Sequence, residues 1–267
     1  MISIAQQRVA ELGGPRSVLS RQRRDHVQLH RLLEELQTSS ADRSGPLLVR
    51  IYRLVFPHAF AEEVVLWPAL RRLLPDGDQL TLRVEKEHQA INELVKQLEA
   101  VPRGVAQWRK GLEQVIALLL QDVRDEEDVL LPRLQAVLSA QQLRRLGWQW
   151  ALVRSIAPTR CHPVVSRRPP GNVLSALPLS LLDRVRDRVD MQRYRGGGRH
   201  ATAQALSAGL ARAAFAVEHL PLMQRGEHGS THIQSASARK WKFAGIAAAV
   251  VTGALLLRRK YGTRAGA

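Results

Sequence analysis

The chain has 267 residues, of which 45% are apolar and 24% are charged, and its net charge is +16. This length allows one large domain or one domain with an appended region. Cys161 is the single cysteine, which excludes an intrachain disulfide and a cysteine-rich zinc site. The N-terminus lacks the basic-then-apolar order of a signal peptide, so we expect a cytoplasmic protein.

The charge is unevenly distributed along the chain. Residues 1–155 contain 22 basic and 19 acidic residues, whereas the remainder contains 18 basic and 5 acidic residues. This difference predicts an ordinary globular domain followed by a basic extension, and it suggests an anionic partner such as a membrane surface. Nucleic acid is disfavoured as that partner because the extension has few aromatic residues for base stacking.

Residues 1–155 show helical periodicity almost throughout, with glycine and proline between the periodic segments. Four of the predicted helices are long and joined by short connections, which favours an all-α, antiparallel up-down four-helix bundle with extra short helices and a basic C-terminal extension. The predicted helices cover residues 2–12, 17–38, 44–74, 79–100, 104–138 and 140–155.

After the bundle, predicted as residues 1–155, the pattern changes. Residues 156–172 contain four prolines without periodicity and predict an extended linker. Residues 173–240 predict a basic, partly helical extension, with one helix amphipathic through Leu174, Leu177, Leu181 and Val185. The predicted helices of the extension cover residues 173–189 and 201–217, and residues 226–238 are expected to be loose.

Residues 241–260 contain an uncharged run, FAGIAAAVVTGALLL, with basic residues on both sides. A membrane span needs about 20 apolar residues, and this run approaches the lower limit of that range only if its flanks contribute. We therefore expect a C-terminal membrane anchor that tethers the protein to the inner face of the cell membrane. A buried or interfacial helix remains the alternative.

Two stretches of the bundle share one template. HAFAEEVVLWP, residues 58–68, and DVRDEEDVLLP, residues 122–132, have Glu-Glu, Val, Leu and Pro at equal offsets. The first position differs, because His58 in one stretch corresponds to Asp122 in the other. An acidic run of this kind is usually a solvated face, but its repetition in this register suggests a role within the fold.

His58 and Glu62 are four residues apart, as are Asp122 and Glu126, so each pair lies on one face of its helix. Both faces are otherwise apolar, and buried polar groups are costly unless something satisfies them. His26 and His88 also fall on the apolar faces of their helices. In a bundle these groups can converge, and imidazole with carboxylate suits iron or, less well, manganese.

Other interpretations of these residues remain open. Each histidine, taken alone, is more often a hydrogen-bonded core residue than a ligand. His30 follows His26 by one turn and is a substitute ligand for it. A ferritin-like site requires Glu-x-x-His on two helices, and the sequence offers one inward instance, from Glu85 to His88. Pro57 either aims His58 or disturbs its helix.

The ordered set of Asp25-His26, His58-x-x-x-Glu62-Glu63, Glu87-His88 and Glu126-Glu127 resembles the hemerythrin-like (HHE) cation-binding domain, over about residues 17–140. The resemblance implies a four-helix bundle that holds a non-haem, usually di-iron, centre. It implies His26, His58 and His88 as terminal ligands, and Glu62 and Glu126 as bridging carboxylates. Glu63 and Glu127 are expected either to orient the histidine ligands from outside or to be solvent-exposed or ion-paired.

Asp122 departs from the family pattern, which usually has histidine at this position. A carboxylate is a harder donor than imidazole, so we expect it to favour the ferric state. A side chain too short to reach the metal would instead leave an asymmetric or single-ion site.

The leading functional hypothesis is a non-haem iron protein that binds or senses dioxygen, peroxide or nitric oxide. If it is an enzyme, oxidase or peroxide-consuming activity is expected. The alternative is a metal-poor structural bundle that acts as a membrane- or nucleic-acid-associated interaction module through its basic region.

Overall fold

The computed structural model describes residues 1–194, 196 and 200–231, and in this part of the chain the regular structure is entirely helical. The α-helices are α1 Val18–Gln37, α2 Ala41–Ala61, α3 Trp67–Leu73, α4 Gly77–Ala100, α5 Ala106–Asp125, α6 Leu131–Val137, α7 Ala140–Ile156, α8 Gly171–Tyr194 and α9 His200–Glu218. The all-α prediction is confirmed.

Helices α1, α2, α4 and α5 form the bundle, with α1 packed on α2 and α4 on α5. Helix α7 packs against both α1 and α2. The interior contains two apolar clusters, one around Leu33, Ile51 and Trp108 and the other around Trp67 and Leu134. The predicted long helices are confirmed, and α2 continues through Pro57.

Helix α2 is joined to α3, and α5 to α6, by one π-helical turn each, so each pair forms a continuous rod. These turns are Glu62–Leu66 and Glu126–Leu130. Pro68 and Pro132 follow at the same offset in both rods and lack the N–H that would close an ordinary α-helical turn. The backbone N–H of the preceding residue, Trp67 or Leu131, instead bonds to the carbonyl five residues back.

The helix predicted over residues 2–12 is wrong, because the structure has only a 3₁₀ turn at Ile4–Gln6. Hydrogen bonds that involve side chains hold this segment in place. Arg23 donates to the Gln7 carbonyl, and the Glu11 carboxylate accepts from the Arg8 backbone N–H. Ile4 and Leu12 are fully buried in the second apolar cluster, which holds the segment against the bundle.

The segment from Ala157 to Pro170 is non-helical, as predicted for the linker 156–172, but most of it is buried against the bundle. Its backbone forms hydrogen bonds with side chains of α4 in place of helical hydrogen bonds. The His162 N–H donates to the Asn92 side chain, and the Gln89 side chain donates to the Pro163 carbonyl. The division of the chain into domains remains a prediction.

Helix α8 is longer than the predicted 173–189 helix, and α9 agrees with the prediction for 201–217. None of the helices in the described residues is long and apolar enough to cross a membrane. The predicted anchor at 241–260 lies outside the described residues.

Candidate metal centre

The six predicted ligand residues come from four helical rods and meet at one level of the bundle. His26 lies on α1 between Leu19 of one apolar cluster and Leu29 of the other, and His88 lies on α4 between Val84 and Ile91. The other four residues lie at the joins of α2 and α5 to their π-helical turns. A polar layer therefore separates the two apolar clusters.

Four side chains form the first group, His26, His58, Glu62 and Glu126. Each contributes one donor atom, and these atoms all lie within 4.8 Å of one another. The Nε2 atoms of His26 and His58 are 3.2 Å apart. The Nε2 of His26 is 3.2 Å from Glu126 Oε2, and the Nε2 of His58 is 3.1 Å from Glu62 Oε1. All four residues are buried.

The second group consists of His88, Asp122 and Glu126. The Nε2 of His88 lies 3.5 Å from Asp122 Oδ1 and 3.6 Å from Glu126 Oε1. The other oxygen of Glu62, Oε2, lies 3.7 Å from this same nitrogen. Glu62 and Glu126 thus each direct one oxygen towards each group, which is the arrangement required of bridging carboxylates.

Each histidine turns its other ring nitrogen, Nδ1, towards a carboxylate on a different helical rod. His26 faces Glu127 at 2.9 Å and His88 faces Glu63 at 3.0 Å. His58 faces Asp25 at 3.2 Å. Because an ionised carboxylate only accepts hydrogen bonds, each pair places a proton on Nδ1, and a neutral ring then directs its Nε2 lone pair into the layer. Such pairs orient metal-ligating histidines.

The centre of the layer has more hydrogen-bond acceptors than donors. Buried atoms there without a hydrogen-bond partner include both oxygens of Glu62, Asp122 Oδ1, Glu126 Oε1 and His88 Nε2. Unpartnered buried polar atoms cost free energy, and facing carboxylates repel each other. A cation satisfies all of them at once. The donor set of imidazole and carboxylate fits a transition-metal ion.

Without a metal, protons must supply that positive charge. Burial alone lowers the pKa of His26, but hydrogen bonds to Glu126 and Glu127 outweigh it and raise the pKa to about 9. Burial likewise opposes protonation of His58, but Glu62 and Asp25 raise its pKa to about 10. Burial, together with the nearby acids, raises the pKa of Asp122 well above its usual value. Metal binding would therefore displace protons.

Arginines support two of the three outer carboxylates, a feature that the sequence analysis did not identify. Arg154 of α7 lies 2.9 Å from Asp25, and Arg167 lies 3.6 Å from Glu63. Arg167 comes from the segment after α7, so this region contacts the surroundings of the site. Helical spacing in the sequence does not predict either contact, because each joins residues that are far apart in the chain.

The structure separates the other candidate residues from the site. His30 is exposed on α1 and does not join either group. Glu85 is buried, but it pairs with Arg71 and Arg168 rather than with the site. Glu63 and Glu127 lie beside His88 and His26, in the positions expected of orienting carboxylates.

Residues 17–134 match the family model of the hemerythrin HHE cation binding domain. An uncharacterized hemerythrin-like protein of Schizosaccharomyces pombe is 22% identical over 134 residues, which is 50% of this chain and 66% of that protein. A DNA nickase of Nostoc sp. is 29% identical over 130 residues, which is 48% of this chain and 35% of that protein.

The match thus covers less than two thirds of either relative. No solved structure matches the chain. The match runs from the start of α1 into α6 and includes all six residues of the polar layer. Residues 17–134 are therefore similar to the hemerythrin HHE cation binding domain, and their buried histidine and carboxylate groups support a metal-binding helical bundle.

Proposed function

We propose that the bundle holds two iron ions and, through them, binds or senses dioxygen or a related small oxidant or nitric oxide. The observation that carries this proposal is the buried layer itself. Three imidazole Nε2 atoms and three carboxylates face each other there, and Glu62 and Glu126 each reach both groups. Terminal ligands would be His26, His58, His88 and Asp122, with Glu62 and Glu126 between the ions.

The donor set favours iron. Imidazole combined with carboxylate suits iron and manganese, and the three carboxylates offset three of the four positive charges of two divalent ions. Bound ferrous ions would supply reversible redox chemistry and open positions for small ligands. The protein's own part is to exclude bulk water with the two apolar clusters and to fix each imidazole through its Nδ1 partner.

Anaerobic iron loading of the full chain tests this proposal. We expect about two irons per chain by metal analysis and a visible absorption band that changes when oxygen or nitric oxide is added. Absence of stoichiometric iron after loading would reject the metal centre and favour a purely structural bundle. Iron without any spectral response to these ligands would reject the small-ligand function alone.

Asp122 gives this site an anionic donor at a position where histidine would be a neutral one. Its Oδ1 lies 3.5 Å from His88 Nε2, close enough for both atoms to contact one ion. We expect this anionic donor to favour the ferric state, so the reduction potential of the native protein should lie below that of Asp122→His. Redox titration of both loaded proteins measures this, and an equal or higher potential for the native protein would contradict it.

A further inference from the structure

Helix α8 is oriented with its polar face inward. Its buried positions include Asn172, Ser175, Asp183, Asp187 and Asp190. Its exposed apolar side chains are Val173, Leu174, Leu177 and Leu181, at 50%, 43%, 65% and 68% exposure. The sequence pattern predicted an amphipathic helix, and the structure places most of its apolar side in water. Such an arrangement usually marks a surface that binds something else.

Inward polar contacts hold α8 in this orientation. Asp183 accepts hydrogen bonds from the backbone N–H groups of Thr159 and Arg160, and Asp187 accepts from the Arg160 guanidinium at 2.7 Å. Asp190 accepts from the same guanidinium at 2.8 Å. Rotating α8 to bury its leucines would expose these pairs and leave Arg160 unpaired in the interior, which is costly.

The same contacts remove the acidic charges of the extension from its surface. Residues 156–267 contain five acids. Four of them, Asp183, Asp187, Asp190 and Glu218, are buried. The fifth, Glu227, accepts hydrogen bonds from the Arg167 backbone and the Thr231 hydroxyl. The outward charge of the described part of the extension is therefore predominantly basic.

Basic and apolar side chains share the outward face of α8. Leu177, Leu181, Arg184 and Arg188 follow one another at spacings of four, three and four, so they lie on one side of the helix. Arg188 is exposed and has no ion pair with a carboxylate within the described residues. The guanidinium of Arg184 is partly exposed and donates hydrogen bonds to Ser180 Oγ and to two carbonyls at the end of α7. We call Val173, Leu174, Leu177, Leu181, Arg184 and Arg188 the outer face of α8.

The chemistry of the outer face distinguishes between candidate partners. A stable dimer buries about 20–30 residues a side, far more than one helix face offers, and symmetric pairing would bring the arginines of two copies together. Nucleic acid would use the arginines but leave the leucines exposed. A bilayer surface with anionic headgroups takes both, because leucines enter the acyl boundary while arginines remain among the phosphates.

We propose that the outer face of α8 docks on an anionic lipid surface, with α8 lying in the membrane interface. The surface belongs to the described part of the extension and acts independently of residues 241–260. It is also independent of the iron site, because none of its side chains contributes to the polar layer. Docking would hold the bundle beside the membrane through its C-terminal side.

A local probe tests the contact in the full chain. Cys161 is 2% exposed, so Leu177→Cys can be labelled selectively with an environment-sensitive fluorophore. Val27→Cys, on an exposed position of α1, is the matched control. With vesicles of phosphatidylcholine and phosphatidylserine, the label at 177 should shift to the blue and be quenched by spin-labelled lipid. The label at 27 should do neither, and phosphatidylcholine vesicles should have little effect on either label.

Vesicle sedimentation of unlabelled chains gives the affinity. Leu177→Ser combined with Leu181→Ser should weaken binding about tenfold, since two leucines no longer enter the lipid. The matched pair Val27→Ser and Leu73→Ser, exposed in the bundle, should leave binding unchanged, and the iron content should be the same in all chains.

Four results would overturn the proposal. They are absence of vesicle binding, a water-exposed label at 177 on vesicle-bound chains, an equal response of that label to duplex DNA, and cross-linking of two copies through position 177 with no lipid present. The iron content of the variants distinguishes these results from a failure of the metal centre.

Discussion

The bundle and the extension both bury carboxylates, but they satisfy them differently. In the bundle, Glu62, Asp122 and Glu126 have buried oxygens without any hydrogen-bond partner. In the extension, Asp183 and Asp187 accept from backbone, hydroxyl and guanidinium groups. Burial of an acid is therefore not informative by itself. The presence or absence of donors around it distinguishes a structural group from a ligand.

The comparison has a physical basis in charge balance. A buried carboxylate needs a positive or donating neighbour. For the acids of the extension, the segment between α7 and α8 supplies Arg160 and His162. The polar layer of the bundle supplies histidines whose Nε2 atoms already face acids, so its charge balance depends on protons or on a metal. The first arrangement should be required for folding, and the second for metal binding.

Glu126→Gln should have the largest effect, because Glu126 contributes a donor atom to both groups. We expect loss of stoichiometric iron, and with it the stabilisation that metal binding gives, about 4 kcal/mol when free metal is 1,000 times the dissociation constant. Metal analysis and thermal unfolding with and without iron measure this. Glu218→Gln, the same change at a buried acid of the extension, should retain its iron. Iron retention by Glu126→Gln would contradict the bridging role.

Arg160→Met should destabilise the fold with or without iron. Arg160 is 5% exposed and bonds to Asp187 and Asp190, and it lies 3.5 Å from Glu99. Losing one partner of a buried ion pair costs about 3–5 kcal/mol, because the acids remain buried and unpaired. Denaturant unfolding measures the loss. Arg186→Met, at an arginine near the same acids whose side chain is 20% exposed, should cost less than Arg160→Met.

A small effect of Arg160→Met would show that the acids of the extension are not held by this arginine. The explanation given for the buried acids of the extension would then be wrong. The metal result for Glu126→Gln would be unaffected.

His162 should make the stability of the extension depend on pH. Burial alone lowers its pKa, but Asp183 and Glu218 outweigh this and raise the pKa to about 9. The protonated ring stabilises the fold. This contribution is complete below the unfolded pKa of about 6.5 and is lost as pH rises through about 9, with a total of about 3 kcal/mol. Lys96 and His219 also lie near Glu218 and contribute to the electrostatic potential around it.

Metal-free native and His162→Gln proteins should be compared by denaturant unfolding from pH 6 to pH 10. The stability difference should be largest at the acidic end and shrink towards pH 10. The histidines of the polar layer titrate in both proteins, so their contributions cancel in the difference. A difference that stays constant with pH would mean that His162 is neutral in the fold.

The sequence predicted the bundle and the meeting of the six layer residues because both depend on helical spacing. His58 with Glu62, and Asp122 with Glu126, share a face in any regular helix. The approximate helix ends followed from glycine and proline. Helix α1, predicted at 17–38, begins at Val18 and ends at Gln37.

Other features depend on contacts between distant segments and carry no such signal. The π-helical turns widen the rods beside Pro68 and Pro132, and periodicity alone does not show them. The leucine pattern of α8 predicted an amphipathic helix, but the orientation of that helix follows from Arg160 and His162. Both lie in the segment predicted to be a linker, and their partners became visible only in the fold.

Arg167→Gln should have the smallest effect, and it tests whether the extension tunes the metal centre that we propose. Arg167 is buried, and its guanidinium lies 3.6 Å from Glu63, whose carboxylate faces His88 Nδ1 at 3.0 Å. Removing this positive charge lets Glu63 draw the Nδ1 proton more strongly, which makes His88 a better donor to the ferric state. The reduction potential should fall by on the order of tens of millivolts.

Arg168→Gln is the matched control, because Arg168 pairs with Glu85 and Asp78 and does not contact the partners of the histidines. Its potential should equal that of the native protein, and both variants should keep their iron. A purely structural arginine would change stability without changing the potential. Equal potentials for Arg167→Gln and Arg168→Gln would therefore confine the extension to a structural role and separate it from the chemistry of the bundle.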